Sequence, residues 1–184
     1  KPCLLFSLSE EDQKKYLLGI KGSQHFTIDE YPSPQKEDFF SFCFVRNPWD
    51  RAVSDYFYCW KRNIKGVRVN EIPFYEWVVN EDLKWGYHHQ TQSSFINENI
   101  NFIGRFENIN EDFSKICRDI GINNPDLPRV NSSGKDFNYS YYYLEDLRFK
   151  NGIELVSDLY GEDISAFNYS FEYDSSYENT FLLT

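Results

Sequence analysis

The stretch Phe39-Phe40-Ser41-Phe42-Cys43-Phe44-Val45 is almost continuously apolar and stops abruptly at Arg46. A short run of this kind suits a strand covered on both faces, as in a parallel sheet, better than a half-exposed strand with alternating polarity. Asn47 and Pro48 follow at once. Asparagine favours the N-cap and proline the first helical position, so a helix is expected to begin here. Trp49, Ala52, Val53, Tyr56, Phe57 and Trp60 recur at helical spacing as its core face, while Asn47, Asp50, Arg51, Ser54 and Tyr58 fall on the other side. A buried strand running straight into a helix points to an α/β chain.

The remaining segments extend this pattern. A helix over Glu10–Ile20 is expected behind Ser9, followed by a loop around Pro32 and Pro34. Phe74–Val79 reads as a short helix behind Pro73, and Asn101–Phe106 as a second strand. Asn110 is expected to cap a helix through Ile120, stopped by Gly121. Pro125–Tyr139 reads as loop, and Leu144–Tyr160 as a last helix with Gly152 as its weak point. With 184 residues and no repeat or linker, the chain is expected to form a single domain over residues 1–184. Its 41% hydrophobic and 19% aromatic content can fill a bulky core, which excludes a disordered or collagen-like chain. No apolar run reaches membrane-spanning length.

Charge narrows the function classes. The net charge of -10 argues against a general nucleic-acid binder. Between Arg46 and Arg68, however, six basic residues face two acidic ones, a local charge of +4 in a chain whose remainder carries -14. Such an island suits one local anion site, and a solvated helix face accounts for the same charges. The four cysteines show neither C-x-x-C spacing nor a histidine at zinc-ligand spacing. Reduced, buried thiols and a reducing compartment are the expectation.

Ligands of open parallel sheets bind beyond the carboxyl ends of the strands. At Val45-Arg46-Asn47-Pro48 a strand end, a fixed cation and a helix N-terminus coincide. Ser54 lies two turns into that helix on its polar side, so Arg46 and Ser54 are candidates to hold a phosphate together. The alternative is Arg46 paired with a nearby carboxylate and Ser54 solvated.

The segment Phe42–Tyr58, F-C-F-V-R-N-P-W-D-R-A-V-S-D-Y-F-Y, resembles the 3′-phosphate-binding segment of sulfotransferases that use 3′-phosphoadenosine 5′-phosphosulfate (PAPS). In that family a strand ends in Arg, and a Ser eight residues later shares the cofactor's 3′-phosphate; Arg46 and Ser54 match this spacing. The wording R-N-P-W-D-R-x-x-S is closest to the carbohydrate sulfotransferase branch, which includes Golgi enzymes and bacterial relatives. Ile103–Asn108 with Asp112-Phe113 is similar to the branch's "IGRYEN…DF" segment, and Leu127–Ser133 to its "LP..N.S" loop. Tyr160–Phe171 is similar to its closing "Y..D…F.Y.F" segment. The resemblance covers residues 24–171 and implies a P-loop NTPase-like sulfotransferase fold, a central parallel sheet flanked by helices.

The resemblance also implies chemistry. PAPS would be the co-substrate, with no metal, and a carbohydrate or related small hydroxyl compound the acceptor. His25 corresponds to the general base of the heparan sulfate 2-O-sulfotransferase relatives, and a loop histidine bonded to backbone is the ordinary alternative. His88 and His89, with Gln92, resemble a segment that lines the acceptor cleft, although Thr91 stands where proline is usual. Lys135 is a candidate cofactor contact in the loop that closes over the nucleotide. The aromatic run Phe137–Tyr143 offers rings for stacking on sugars, with core packing the more ordinary role. The family's N-terminal phosphosulfate loop has no counterpart here, and the chain contains no Met. The loop and the strand before it are therefore expected upstream of Lys1. The competing reading is a non-catalytic binding module on the same fold. A P-loop kinase reading lacks support, because the sequence shows neither a Walker-type lysine nor a magnesium carboxylate. A composition rich in Asn, Ile, Lys and Tyr suits an AT-rich microbial genome, so bacterial cytoplasm is the expected location and the Golgi lumen the alternative.

Overall fold

The structure, a computed structural model, describes residues 40–61, 72–80, 90–123, 126–127, 138–145 and 149–173. The chain divides into two compact units, Lys1–Val45 with Gln92–Pro128, and Arg46–Thr91 with Arg129–Thr184. The expected helix over Glu10–Ile20 lies outside the described residues.

In the first unit, β1 (Phe42–Val45) pairs in parallel with β2 (Phe102–Arg105), Phe42 opposite Phe102 and Val45 opposite Arg105. Asn101 brackets the start of the pair: its N–H donates to the Ser41 carbonyl at 2.8 Å, and its side-chain oxygen accepts the Ser41 N–H at 2.8 Å. β2 runs through a 3-10 turn, Phe106–Asn108, into α3 (Ile109–Ile120). This helix begins one residue ahead of the expected cap Asn110, because the 3-10 turn already delivers the chain in helical geometry at Ile109. Its Asp112 carboxylate accepts the Arg105 N–H at 2.7 Å, fastening the helix to the strand end. Gly104 is required by close approach: a Cβ there would sit 2.6 Å from the Phe44 ring. Gly121 ends α3 in the left-handed region at φ 81, and the Ile122 N–H reaches back to the Cys117 carbonyl at 2.8 Å. Among the described residues β1 has one partner strand, so only Val45 is buried and Phe42 remains 41% exposed. The expectation of a strand covered on both faces therefore exceeds what the described residues provide. Strands and helices do mix, with a small parallel sheet, which is compatible with an α/β fold.

The second unit is helical: α1 (Pro48–Lys61), α2 (Phe74–Val79), α4 (Tyr139–Glu145), α5 (Gly152–Leu159) and α6 (Gly161–Phe167), with extended chain over 169–173. α1 and α2 occupy the spans read from the sequence. Of the expected loop, the described residues 126–127 and 138 lie in neither helix nor strand, and of the expected last helix Gly152–Leu159 is helical but not continuous with Leu144. Tyr139–Glu145, reaching from the expected loop into the expected helix, forms α4. Gly152 starts a new helix after Asn151, which sits at φ 60. A Cβ at Gly152 would lie 2.9 Å from the Tyr143 ring, so glycine here serves packing as well as the break.

Rings make the core. Phe149 is fully buried, stacks on Phe74 with centroids 4.4 Å apart, and meets the rings of Tyr56, Tyr142 and Tyr143 edge-on or tilted at 5.5–5.7 Å. Two buried polar tips are satisfied by backbone: the Tyr56 hydroxyl donates to the Ile72 carbonyl at 2.7 Å, and the Trp49 indole to the Ile153 carbonyl at 3.1 Å. The tyrosines of the 137–143 run that are buried, Tyr139, Tyr142 and Tyr143, are core residues of α4. Cys43, Cys59 and Cys117 are free thiols. Burial pushes Cys59 up to about 11, with the charge of Asp55 adding and the Trp77 indole opposing, so it is an inert packing group. Phe149→Ala should remove about 3–5 kcal/mol of stability, because five of its neighbours are rings that cannot collapse into the space. Denaturant unfolding of the variant measures the loss.

Candidate functional site

Asn47 organises the N-terminus of α1. Its side-chain oxygen accepts the Trp49 N–H at 3.1 Å, and its side-chain nitrogen donates to the Ser170 carbonyl at 3.0 Å and the Tyr139 hydroxyl at 3.4 Å. The Tyr139 hydroxyl also accepts the Glu172 N–H at 2.9 Å. Burial raises Tyr139 to about 12 and Tyr143 well above the ordinary phenol value, and the charge of Asp50 adds to both, so these hydroxyls stay neutral donors and acceptors.

Arg46 stands immediately before this cap. Its Nε donates to the Asp50 carboxylate at 2.6 Å, one helical turn ahead, with side-chain exposures of 19% and 12%. Ser54 is half-buried and lies one further turn along α1. Positions 46, 50 and 54 are spaced by four, so they share one side of the helix. The face that the sequence pattern leaves to solvent is in fact largely covered: Asn47 and Asp50 are buried, and Arg51, Ser54 and Tyr58 are half-buried.

Arg51 has a different role from Arg46. Its Nη2 donates to the Gln90 carbonyl at 2.7 Å, its Nη1 lies 3.5 Å from the carboxylate of fully buried Asp163, and its Nε lies 3.9 Å from Asp55. The guanidinium also sits 5.3 Å from the centre of the Tyr160 ring. Nearby, the Thr91 hydroxyl donates to Glu162 at 3.5 Å. Arg51 is therefore a structural cation that fixes α6 and residues 90–91 to α1. The signal in the sequence was the i,i+4 spacing of Arg46 with Asp50 and Arg51 with Asp55; Asp163 was marked only as part of the closing Tyr160–Phe171 segment, with nothing to tie it to Arg51.

Gln92 belongs to the strand-containing unit, where its carbonyl accepts the Phe95 N–H at 3.2 Å. His25, His88, His89 and Lys135 lie outside the described residues. Among the described residues no three His, Cys, Asp or Glu side chains are grouped to hold a metal ion, and no helix is long and apolar enough to cross a membrane.

The family model of the sulfotransferase family matches residues 9–170. The chain belongs to the sulfotransferase family. Over 102 residues it is also 31% identical to an uncharacterized protein of Archaeoglobus fulgidus, a match covering 54% of this chain and 82% of that protein. No solved structure matches the chain. Membership supports a transferase moving sulfuryl groups. It also gives the weak motifs physical content within this sulfotransferase chain. In Y-G-E-D-I-S-A-F-N-Y-S-F, Tyr160 and Asp163 flank Arg51, and Phe171 packs edge-on against Trp49 at 5.7 Å. In I-G-R-F-E-N, Gly104 admits the Phe44 ring and Arg105 is held by Asp112.

Because Asp163 is fully buried, removing its cation leaves a carboxylate uncompensated. Arg51→Ala should cost about 3–5 kcal/mol of stability, while Arg51→Ala combined with Asp163→Leu should recover part of it. Equilibrium unfolding of the three proteins checks the sign of that recovery.

Proposed function

We propose that this sulfotransferase takes its sulfuryl group from PAPS and delivers it to a hydroxyl of a carbohydrate or related small acceptor. The observation that carries the reading is the alignment of Arg46 and Ser54 along one side of α1, at a helix N-terminus whose dipole favours an anion. The residues fit the 3′-phosphate of such a nucleotide. Arg46 brings a fixed, half-buried guanidinium and Ser54 a half-buried hydroxyl, the donor types that a phosphate requires.

The bound nucleotide would supply an activated sulfuryl group; the chain supplies orientation and a proton acceptor. Arg46 and Ser54 hold the 3′-phosphate, and Lys135 is assigned a further contact to the nucleotide. His88, His89 and Gln92 are assigned to the acceptor. A neutral imidazole titrates in the range needed to take a hydroxyl proton, which is the role given to His25. The motif wording, with R-N-P-W-D-R-x-x-S followed in order by the later segments, supports the carbohydrate branch.

Calorimetric titration of 3′-phosphoadenosine 5′-phosphate, the desulfated product, tests the reading. Arg46→Ala and Ser54→Ala should each weaken binding by roughly 1.5–3 kcal/mol, ten- to hundredfold. Unchanged affinity in folded Arg46→Ala overturns it. In the same series, His25→Ala should bind the nucleotide normally yet turn over roughly two to four orders of magnitude more slowly.

A further inference from the structure

We propose that Asp50 is a positioning residue for the nucleotide phosphate, holding the Arg46 guanidinium over the first turn of α1, on the side that leads to Ser54. The inference rests on the assignment of Arg46 and Ser54 to that phosphate. Arg46 enters the helix from outside, and to share an anion with Ser54 it has to fold forward along the helix. The contact from Nε to the Asp50 carboxylate at 2.6 Å shows it folded forward. At about 1.5 Å of rise per residue, Ser54 lies about 6 Å beyond Asp50, within reach of a phosphate lodged beside the guanidinium.

Asp50 is a firm anchor. It is buried, it belongs to the first turn of α1, and it is close enough to the Tyr139 and Tyr143 hydroxyls for its charge to bear on both. Those hydroxyls are themselves fixed, Tyr139 by Asn47 and Glu172 and Tyr143 by the Trp49 carbonyl at 3.0 Å. A held arginine has already lost the rotamer freedom that an unheld one would lose on binding. A carboxylate near an incoming anion also repels it. Here that charge is offset where it sits, by Arg46 and by the helix N-terminus, so orientation outweighs repulsion.

The two effects have opposite signs, which a double-mutant cycle separates. 3′-Phosphoadenosine 5′-phosphate is titrated into the wild type, Asp50→Asn, Arg46→Ala and the double variant, with thermal unfolding of each. Positioning predicts that Asp50→Asn weakens binding roughly five- to thirtyfold, about 1–2 kcal/mol, and that the effect vanishes when Arg46 is already alanine. Asp50→Glu, which keeps the charge, should recover part of the loss and serves if the asparagine variant does not fold. Tighter binding by Asp50→Asn makes Asp50 a competitor and overturns the proposal. An equal loss with and without Arg46 also overturns it, because Asp50 would then act on the fold. If Arg46→Ala leaves affinity unchanged, the assignment of the phosphate fails and the positioning role falls with it; if Arg46→Ala weakens binding and Asp50→Asn does not, the positioning role alone fails.

Discussion

One asparagine side chain joins three stretches of the helical unit. Asn47 caps α1 with its oxygen and, with its nitrogen, holds the Ser170 carbonyl and the Tyr139 hydroxyl. A buried amide can serve both purposes only if the helix start, α4 and the extended chain after α6 are all in place. The aromatic core depends on the same arrangement, because Trp49, Tyr139, Tyr143 and Phe171 pack ring to ring around this point. The anion site proposed at the N-terminus of α1 would therefore rest on a scaffold held by several segments at once.

Arg46 and Arg51 lie five residues apart and serve different ends. Five residues is about one and a half helical turns, which turns the two side chains to different sides of α1. Arg51 meets a fully buried carboxylate, a backbone carbonyl and an aromatic face, and its planar fork suits that enclosure. Arg46 meets the Asp50 carboxylate, one turn before Ser54 on the same side of α1. Ion pairing alone does not distinguish a structural arginine from a ligand-binding one; the burial of the partner and the number of chain segments joined do. Arg51 joins α1 to the Gln90 carbonyl and to fully buried Asp163 and so belongs to the fold, while Arg46 is proposed for the site.

Local signals were legible in the sequence. Asn47-Pro48 marked the start of α1, Pro73 that of α2, and Gly121 the end of α3, since each of these rests on a backbone preference of one or two residues. What depended on tertiary contact was not legible. The run Phe137–Tyr143 left sugar stacking and core packing both open, because strings of tyrosine carry no helical periodicity; contacts with the rings of Phe57, Phe74 and Phe149 place Tyr142 and Tyr143 in the core, on a helix. The long helix expected through Gly152 is interrupted just before it, where Asn151 takes a left-handed φ of 60. For the proposed site, Arg46 and Ser54 were picked out by their spacing and family wording. Asp50 and Arg51 were seen only as part of a polar face, because a helical wheel cannot tell a solvated face from one covered by the chain's own distant segments.

The central claim, that the first two turns of α1 receive the 3′-phosphate of the nucleotide, is tested most directly by the crystal structure of the protein with 3′-phosphoadenosine 5′-phosphate. The account predicts the 3′-phosphate within hydrogen-bonding distance, about 2.7–3.2 Å, of both the Arg46 guanidinium and the Ser54 hydroxyl, with the Asp50 contact to Nε retained. A nucleotide bound with its 3′-phosphate away from α1, or Arg46 closed on Asp50 with no phosphate beside it, would contradict it.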